Sequence, residues 1–124
     1  MIGSSLQVRV YAYGGPVDMR KGFEGLSTLV RGEFGRHPLS GDYFLFVNRH
    51  RKRAKVLHWD GTGLCLYAKR LEKGRFATLW REPGRKRVEL TVTELRLFLE
   101  GSDLVGRVPL SPPPLTENDL AIRI

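Results

Sequence analysis

The strongest constraint on the fold is a series of strand-length apolar segments that recur every 10–12 residues through the middle of the chain. Turn-forming residues separate them, at Asp60-Gly61 and Thr62-Gly63 and again at Glu72-Lys73-Gly74. This spacing predicts an antiparallel meander of five to six strands, which could curl into a partial barrel. The expected strands are Gln7–Tyr13, Tyr43–Asn48, Ala54–Trp59, Leu64–Arg70, Arg75–Arg81 and Arg87–Leu90.

One long helix is predicted between the first two of these strands. Its apolar residues recur at spacings of three and four, which places them on one helical face. They are Met19, Phe23, Leu26, Val30 and Phe34. Asp18 is a suitable N-cap, and the helix should run to about Gly35. An adjoining stripe of glycines predicts that a sheet or another helix packs closely there. These are Gly22, Gly25 and Gly32.

A short second helix is predicted near the end of the sheet region. Thr91-Val-Thr-Glu94 matches a capping box, and Gly101 should end the helix. Leu95, Phe98 and Leu99 would then face the core. The prolines that follow predict a polyproline-like or disordered segment over residues 104–115, and residues 115–124 could form one more short element. We therefore predict an α+β fold with a single domain over residues 1–103 and a proline-rich C-terminal tail over residues 104–124.

The composition favours an intracellular protein. The chain has 124 residues and a single cysteine, Cys65, so an internal disulfide is excluded. No apolar stretch approaches the roughly 20 residues that span a bilayer, and no signal peptide is recognisable. We expect a cytoplasmic protein that does not associate with membranes.

The charge of the chain is concentrated in its middle third. Residues 49–87 contain 13 Lys and Arg but 3 Asp and Glu, a net charge of +10, whereas the rest carries −2. Such a positive field attracts polyanions, of which nucleic acid is the commonest. The alternative is that these are solvated turn residues that keep the protein soluble.

Hairpin geometry predicts where these cations lie. Successive turns of a meander alternate between its two ends, so the first and third turns should share one end. The candidate DNA-binding residues there are Arg49, Arg51, Lys52, Arg53, Lys55, Lys69, Arg70, Lys73 and Arg75. Arg20 and Lys21, near the predicted helix start, could hold a further phosphate. A third cluster, Arg81 to Arg87, should lie at the opposite end or along an edge. Aromatic residues between the cations could stack on bases or belong to the core.

No pattern of catalytic or metal-binding residues is recognisable. The carboxylates Asp18, Asp42, Asp60 and Glu89 are scattered, and the three histidines lack metal-ligand spacing. Cys65 lies in an apolar strand, where we expect a buried small side chain. We predict a protein that is not an enzyme and has no metal or cofactor.

Two segments resemble a known family. They are Val17-Asp-Met-Arg-Lys-Gly-Phe-Glu-Gly-Leu26 and Trp59-Asp-Gly-Thr-Gly-Leu-Cys-Leu-Tyr-Ala-Lys-Arg-Leu-Glu-Lys-Gly-Arg-Phe76. They are similar to the TnpB, or second open-reading-frame, accessory proteins of the insertion-sequence sixty-six family. The likeness covers about residues 5–104. It implies a role in transposition beside a separate transposase, but no catalytic residues.

Two functional hypotheses follow. The first is a non-catalytic accessory factor of transposition that binds DNA through its basic turns. The second is an adaptor that docks on the transposase, or on another protein of the element, without specific DNA binding. The sequence does not decide the DNA preference or the oligomeric state.

Overall fold

A computed structural model describes residues 8–80 and 86–101 and contains one five-stranded sheet flanked by two helices. The strands follow the order β4-β3-β2-β1-β5. They are β1 (Val10–Pro16), β2 (Tyr43–Val47), β3 (Arg53–Trp59), β4 (Leu64–Arg70) and β5 (Arg87–Leu90). The helices are α1 (Phe23–Leu29), which continues as a π-helical segment (Val30–Phe34), and α2 (Val92–Glu100).

The sheet is mixed, so the predicted meander is only partly correct. β2, β3 and β4 pair antiparallel in sequence order, as expected. However, β1 pairs parallel with β2, and β5 pairs antiparallel with β1 on the far side. The α+β class is confirmed. The sheet is not closed, and β4 and β5 are its edges.

The predicted strand over residues 75–81 is wrong for its described part, residues 75–80. This segment has no strand pairing and instead covers one face of the sheet. Phe76 is fully buried, and its ring stacks on that of Phe98 in α2 at 5.1 Å between centroids. Ala77 and Leu79 are buried beside it. Apolar residues at positions 76, 77 and 79 do not alternate strictly, which favours packing over pairing.

Each face of the sheet carries its own hydrophobic cluster. On the α1 face, Leu26, Val30 and Phe34 pack on aromatic residues of β1 and β2. On the α2 face, Leu95 and Phe98 pack on β1, β2, β3 and β5 together with the 76–79 segment. Alternate strand residues therefore point to opposite clusters, which fixes the register of the central strands.

The first helix is shorter than predicted, and Asp18 does not cap it. The helix begins at Phe23 behind Gly22, and its π-helical end closes on Gly35 in the left-handed conformation (φ 64°). Asp18 instead forms a local turn in which its Oδ1 accepts from the Arg20 backbone N–H at 2.9 Å. Because the Asp18 carboxylate is bonded within its own loop, it does not cap the helix, which begins after that loop.

The glycine stripe does not mark a close contact within the described chain. A Cβ atom added at Gly22 or Gly32 would meet nothing within 4 Å, and one at Gly25 would meet the Lys21 side chain at 3.1 Å. The prediction of tight packing against this stripe is therefore wrong for the described residues.

The second helix is as the sequence predicts. Thr91 Oγ1 accepts from Glu94 N–H at 3.0 Å, and Glu94 Oε1 accepts from Thr91 N–H at 2.8 Å, which completes the capping box. Gly101 ends the helix with φ 57°. A Cβ there would lie 2.5 Å from Leu71 Cδ1, so glycine is required for close packing as well as for the backbone.

The predicted boundary at residue 103 and the proline-rich tail lie outside the described residues. Among the described residues, neither helix is long and apolar enough to cross a bilayer.

Candidate nucleic-acid interface

The first basic turn joins β2 to β3 and is organised by one neutral side chain. We call residues 48–53 the basic turn. Asn48 Oδ1 accepts from the backbone N–H groups of Lys52 and Arg53 at 3.0 and 3.1 Å. Asn48 N–H in turn donates to the Arg53 carbonyl at 3.0 Å. The asparagine thus closes the turn without adding negative charge.

Arg51 connects this turn to the rest of the fold. It has a left-handed backbone (φ 60°), which costs about 1 kcal/mol or more for a residue with a side chain. Its Nη1 donates to the Phe76 carbonyl at 3.0 Å and to Thr78 Oγ1 at 2.8 Å. Its own carbonyl accepts from Phe76 N–H at 2.7 Å. These bonds hold the 75–80 segment against the sheet, so Arg51 has a structural role.

The basic turn meets the C-terminal end of β4, as the hairpin argument predicted. Leu71 N–H donates to the Lys52 carbonyl at 2.8 Å, and Arg53 lies directly opposite Arg70 in the β3–β4 register. Both arginines are exposed. Like charges directly opposite one another destabilise a sheet, so this pair is unfavourable unless an anion compensates it.

A cleft of about 510 Å³ surrounds the arginine pair. We call it the basic cleft, and its lining residues are Met19, Arg53, Ala54, Lys55, Ala68, Lys69, Arg70 and Glu72. The carboxylate of Glu72 lies 3.6 Å from Arg70 Nη2, and both side chains are largely exposed. Solvent screens such a pair, so it compensates little of the local positive charge.

Two predicted contact residues in the cleft are already engaged. Lys55 Nζ donates to the backbone carbonyls of Met19 and Lys21 at 2.8 and 2.9 Å. Lys69 Nζ donates to the Leu99 carbonyl at 2.7 Å, near the C-terminus of α2. Each ammonium satisfies carbonyl groups that the adjacent loop or helix end leaves unpaired. With Arg51, these lysines hold the site together rather than presenting free donors.

The other cations predicted at this end of the sheet are exposed. Four of them lie beyond ion-pair distance of every carboxylate in residues 8–80 and 86–101. They are Arg49, Lys52, Lys73 and Arg75. Together with Arg53 and Arg70 they give this end of the sheet six exposed cations. A second cleft beside the first joins Arg75 to the same turn and is also lined by Asn48 and His50.

The two cations near the first helix differ from each other. Arg20 is held by Asp18, with Nη2 2.7 Å from Oδ2. Hydrogen bonds from the Arg20 side chain, and then from its backbone, lower the pKa of Asp18 to about 2. Lys21 is exposed, and its side chain lies over Gly25. The loop that carries both residues closes one side of the basic cleft through Met19.

The third cation cluster lies on the other edge of the sheet. Arg87 begins β5, and its Nη1 donates to the Phe34 carbonyl at 2.9 Å. Lys86 Nζ lies 3.8 Å from Glu33. Arg81 and Arg85 are outside the described residues.

The scattered carboxylates do not converge on a catalytic centre in the described chain. Asp42 is buried and accepts from Arg9 N–H and Ser40 Oγ, while Asp60 closes the β3–β4 turn. In the described ranges, no three His, Cys, Asp or Glu side chains are grouped so that they could hold a metal ion.

Cys65 is exposed, contrary to the expectation of burial, because it lies on the uncovered part of edge strand β4. Of the aromatic residues between the cations, Phe76 is buried and Tyr67 is 51% exposed. The half-buried ones are Tyr43, Trp59 and Trp80.

Sequence reasoning missed Asn48 and the structural role of three of the basic residues. Asn48 could have been recognised, because an Asn that begins a short polar turn often accepts from backbone N–H groups. Nothing in the local sequence indicates that Lys55 and Lys69 bond carbonyls 36 and 30 residues away.

Comparison with known proteins identifies related chains. The model of a family described as IS66 Orf2 like protein matches residues 8–107. An uncharacterized protein y4hO of Sinorhizobium fredii (strain NBRC 101917 / NGR234) is 36% identical over 103 residues, 83% of this chain and 88% of that protein. The uncharacterized protein y4jC of the same strain is 34% identical over 115 residues, 91% and 97% of the two chains. No solved structure gives a significant match.

Proposed function

Because the chain belongs to the IS66 Orf2 like family, which has an accessory role in transposition, we propose that it serves that role by binding DNA at the basic cleft. It does so without catalysing a reaction and without a cofactor, in the cytoplasm. Its partners are DNA and the transposase of the same element.

One observation carries the proposal. Arg53 and Arg70 stand opposite each other on adjacent strands, and the carboxylate that lines their cleft, Glu72, is largely exposed. A sheet gains nothing from such a pair alone, but two guanidinium groups facing one another suit a phosphate between them. Arginine also binds phosphate oxygens in a bidentate manner.

The surrounding charge supports binding to a chain of phosphates rather than to a single anion. Arg49, Lys52, Lys73 and Arg75 flank the pair and are exposed. Exposed charges act on one another over about 8 Å at physiological salt, so cations gathered at one end of the sheet attract successive phosphates more strongly than a lone cation does. We expect weak sequence preference, since phosphate contacts position a protein on DNA without reading bases.

Binding of labelled duplex and single-stranded DNA across a salt series tests this function. If about five phosphates are contacted, log affinity for duplex DNA should fall against log salt with a slope of about −4 to −5, at about 0.9 per contact. A slope near zero would contradict phosphate binding.

The adaptor function is the second candidate, and it is favoured by the internal bonds of three of the predicted DNA-binding cations. Arg51, Lys55 and Lys69 already bond internal carbonyls, which lowers the number of free donors. If the protein is an adaptor, immobilised transposase should still retain it after nuclease treatment. If the two proteins are joined only through DNA, nuclease treatment should release it.

A further inference from the structure

The two edges of the sheet differ in how well they are protected against pairing. Edge strand β5 has four residues and carries exposed charges at Arg87 and Glu89. Edge strand β4 has seven residues, pairs with β3 in an uninterrupted register, and is uncharged from Leu64 to Ala68. Short length, charge, proline and bulges are the usual devices that protect an edge, and the central part of β4 has none of them.

Two hydrogen bonds show which backbone groups of β4 are directed outward. Asp60 N–H donates to the Gly63 carbonyl at 3.1 Å, and Leu71 N–H donates to the Lys52 carbonyl at 2.8 Å, at the two ends of the hairpin. Bonded and non-bonded pairs alternate in an antiparallel ladder. Counting in steps of two from these bonded pairs, the residues of β4 whose backbone bonds to β3 are Cys65, Tyr67 and Lys69. The outward groups therefore belong to Leu64, Leu66, Ala68 and Arg70.

The charge at the two ends of β4 selects the direction of pairing. The turn that leads into the strand carries Asp60, and the strand ends with Lys69 and Arg70. Hydrogen bonds from Thr62 and Gly63 hold the pKa of Asp60 at about 2, so this end stays anionic. If β4 of a second chain paired parallel with β4, the two Arg70 residues would lie side by side. Antiparallel pairing instead brings the basic end of each strand towards the acidic end of the other.

We propose that β4 pairs antiparallel with β4 of a second copy of this chain, which joins two five-stranded sheets into one across a two-fold axis. Such an interface is self-complementary by symmetry. With full overlap of the seven residues, the two Arg70 side chains lie about 20 Å apart along the strands, at about 3.4 Å per residue. Tyr67, exposed in the single chain, gains a cross-strand neighbour.

Amide hydrogen exchange of the full chain, followed residue by residue at a low and a high protein concentration, tests this pairing. The amides of Cys65, Tyr67 and Lys69 should be protected at both concentrations, because they bond to β3. Those of Leu66 and Ala68 should exchange fast at low concentration and at least tenfold more slowly at high concentration. The mass in solution should rise from 14.1 kDa towards twice that value.

Two results would overturn the proposal. Fast exchange of Leu66 and Ala68 at every concentration, with the mass of a single chain, would show an open edge. Slow exchange at every concentration, again with the mass of a single chain, would show that the chain covers its own edge.

A pair of variants separates edge pairing from other self-association. Ala68→Pro removes an outward N–H that the ladder with β3 does not use, so it should abolish the rise in mass. Ala68→Thr keeps that N–H and suits a strand, so it should leave the rise intact. If the rise in mass is the same in both variants, self-association does not occur through pairing of β4 with β4.

Discussion

The two turns at the ends of β3 have the same hydrogen-bond plan but opposite charge. In the basic turn, Asn48 Oδ1 accepts from two backbone N–H groups, and in the turn at residues 60–63, Asp60 Oδ1 accepts from those of Thr62 and Gly63 at 2.9 Å. The amide closes one turn and the carboxylate closes the other. The difference shows that the turn geometry does not require a charged acceptor, since a neutral amide closes the basic turn as the carboxylate closes the other.

The turns also differ in how they join the fold. The acidic turn bonds only to itself and to the thiol of Cys65 among the described residues. The basic turn is attached through Arg51 to Phe76 and Thr78, which lie 25 and 27 residues further along. Rigid attachment suits a surface that must present cations in a fixed arrangement.

Arg51→Ala should give the largest effect on stability. It removes two hydrogen bonds from a charged donor, and such bonds contribute about 1.5–3 kcal/mol to stability. Since Arg51 is only partly buried, we expect the free energy of unfolding in urea to fall by about 3 kcal/mol, the lower end of that range for two bonds. Arg49→Ala in the same turn is the control and should change it by less than about 0.5 kcal/mol. Similar losses in both variants would mean that Arg51 is not the anchor.

Asn48→Asp should weaken DNA binding without unfolding the turn. The new carboxylate accepts the same two N–H groups but adds a negative charge beside the cleft. One charge about 4 Å away is worth about 1 kcal/mol in water, so Kd should rise about fivefold at low salt. Asp60→Asn, the reciprocal change, should leave Kd within about twofold because its turn lies at the other end of β3. A rise in Kd in both variants, or in neither, would contradict the claim that DNA binds at the basic turn and not at the turn at residues 60–63.

Asp60→Asn should have a smaller effect that depends on pH. The pKa of Asp60 is about 2 in the folded chain, below its ordinary value of 3.8. A lowered pKa stabilises the fold above the unfolded value and loses that contribution as pH falls through the folded one. The difference in urea midpoint between the wild-type chain and Asp60→Asn should thus be present at pH 5 and shrink towards pH 2. A difference that is constant with pH would show that ionisation of Asp60 is not responsible.

Features set by neighbouring residues could be predicted from the sequence. The bounds of β4 and β5, the capping box at Thr91 and the left-handed Gly101 all depend on residues within one turn or one strand. The meeting of the basic turn with the end of β4 was also predictable, because hairpin connection alone brings them together.

Features set by contacts between distant residues could not be predicted from the sequence. The parallel pairing of β1 with β2 depends on the crossover helix, and residues 75–80 leave the sheet because Arg51 and Phe98 hold them. The roles of Lys55 and Lys69 depend on carbonyls that face them only after folding. A list of basic residues therefore overstates how many are available to a ligand.

The most direct test of the basic cleft is the salt dependence of duplex DNA binding by Arg53→Gln/Arg70→Gln, compared with Arg31→Gln/Arg96→Gln. Both pairs remove two charges, but Arg31 and Arg96 are exposed on helical segments and do not line the cleft. We predict that the slope of log affinity against log salt becomes shallower by about 1.8 in the first variant and stays within about 0.3 of wild type in the second. Equal changes in the two variants would show that net charge, and not the cleft, holds the DNA.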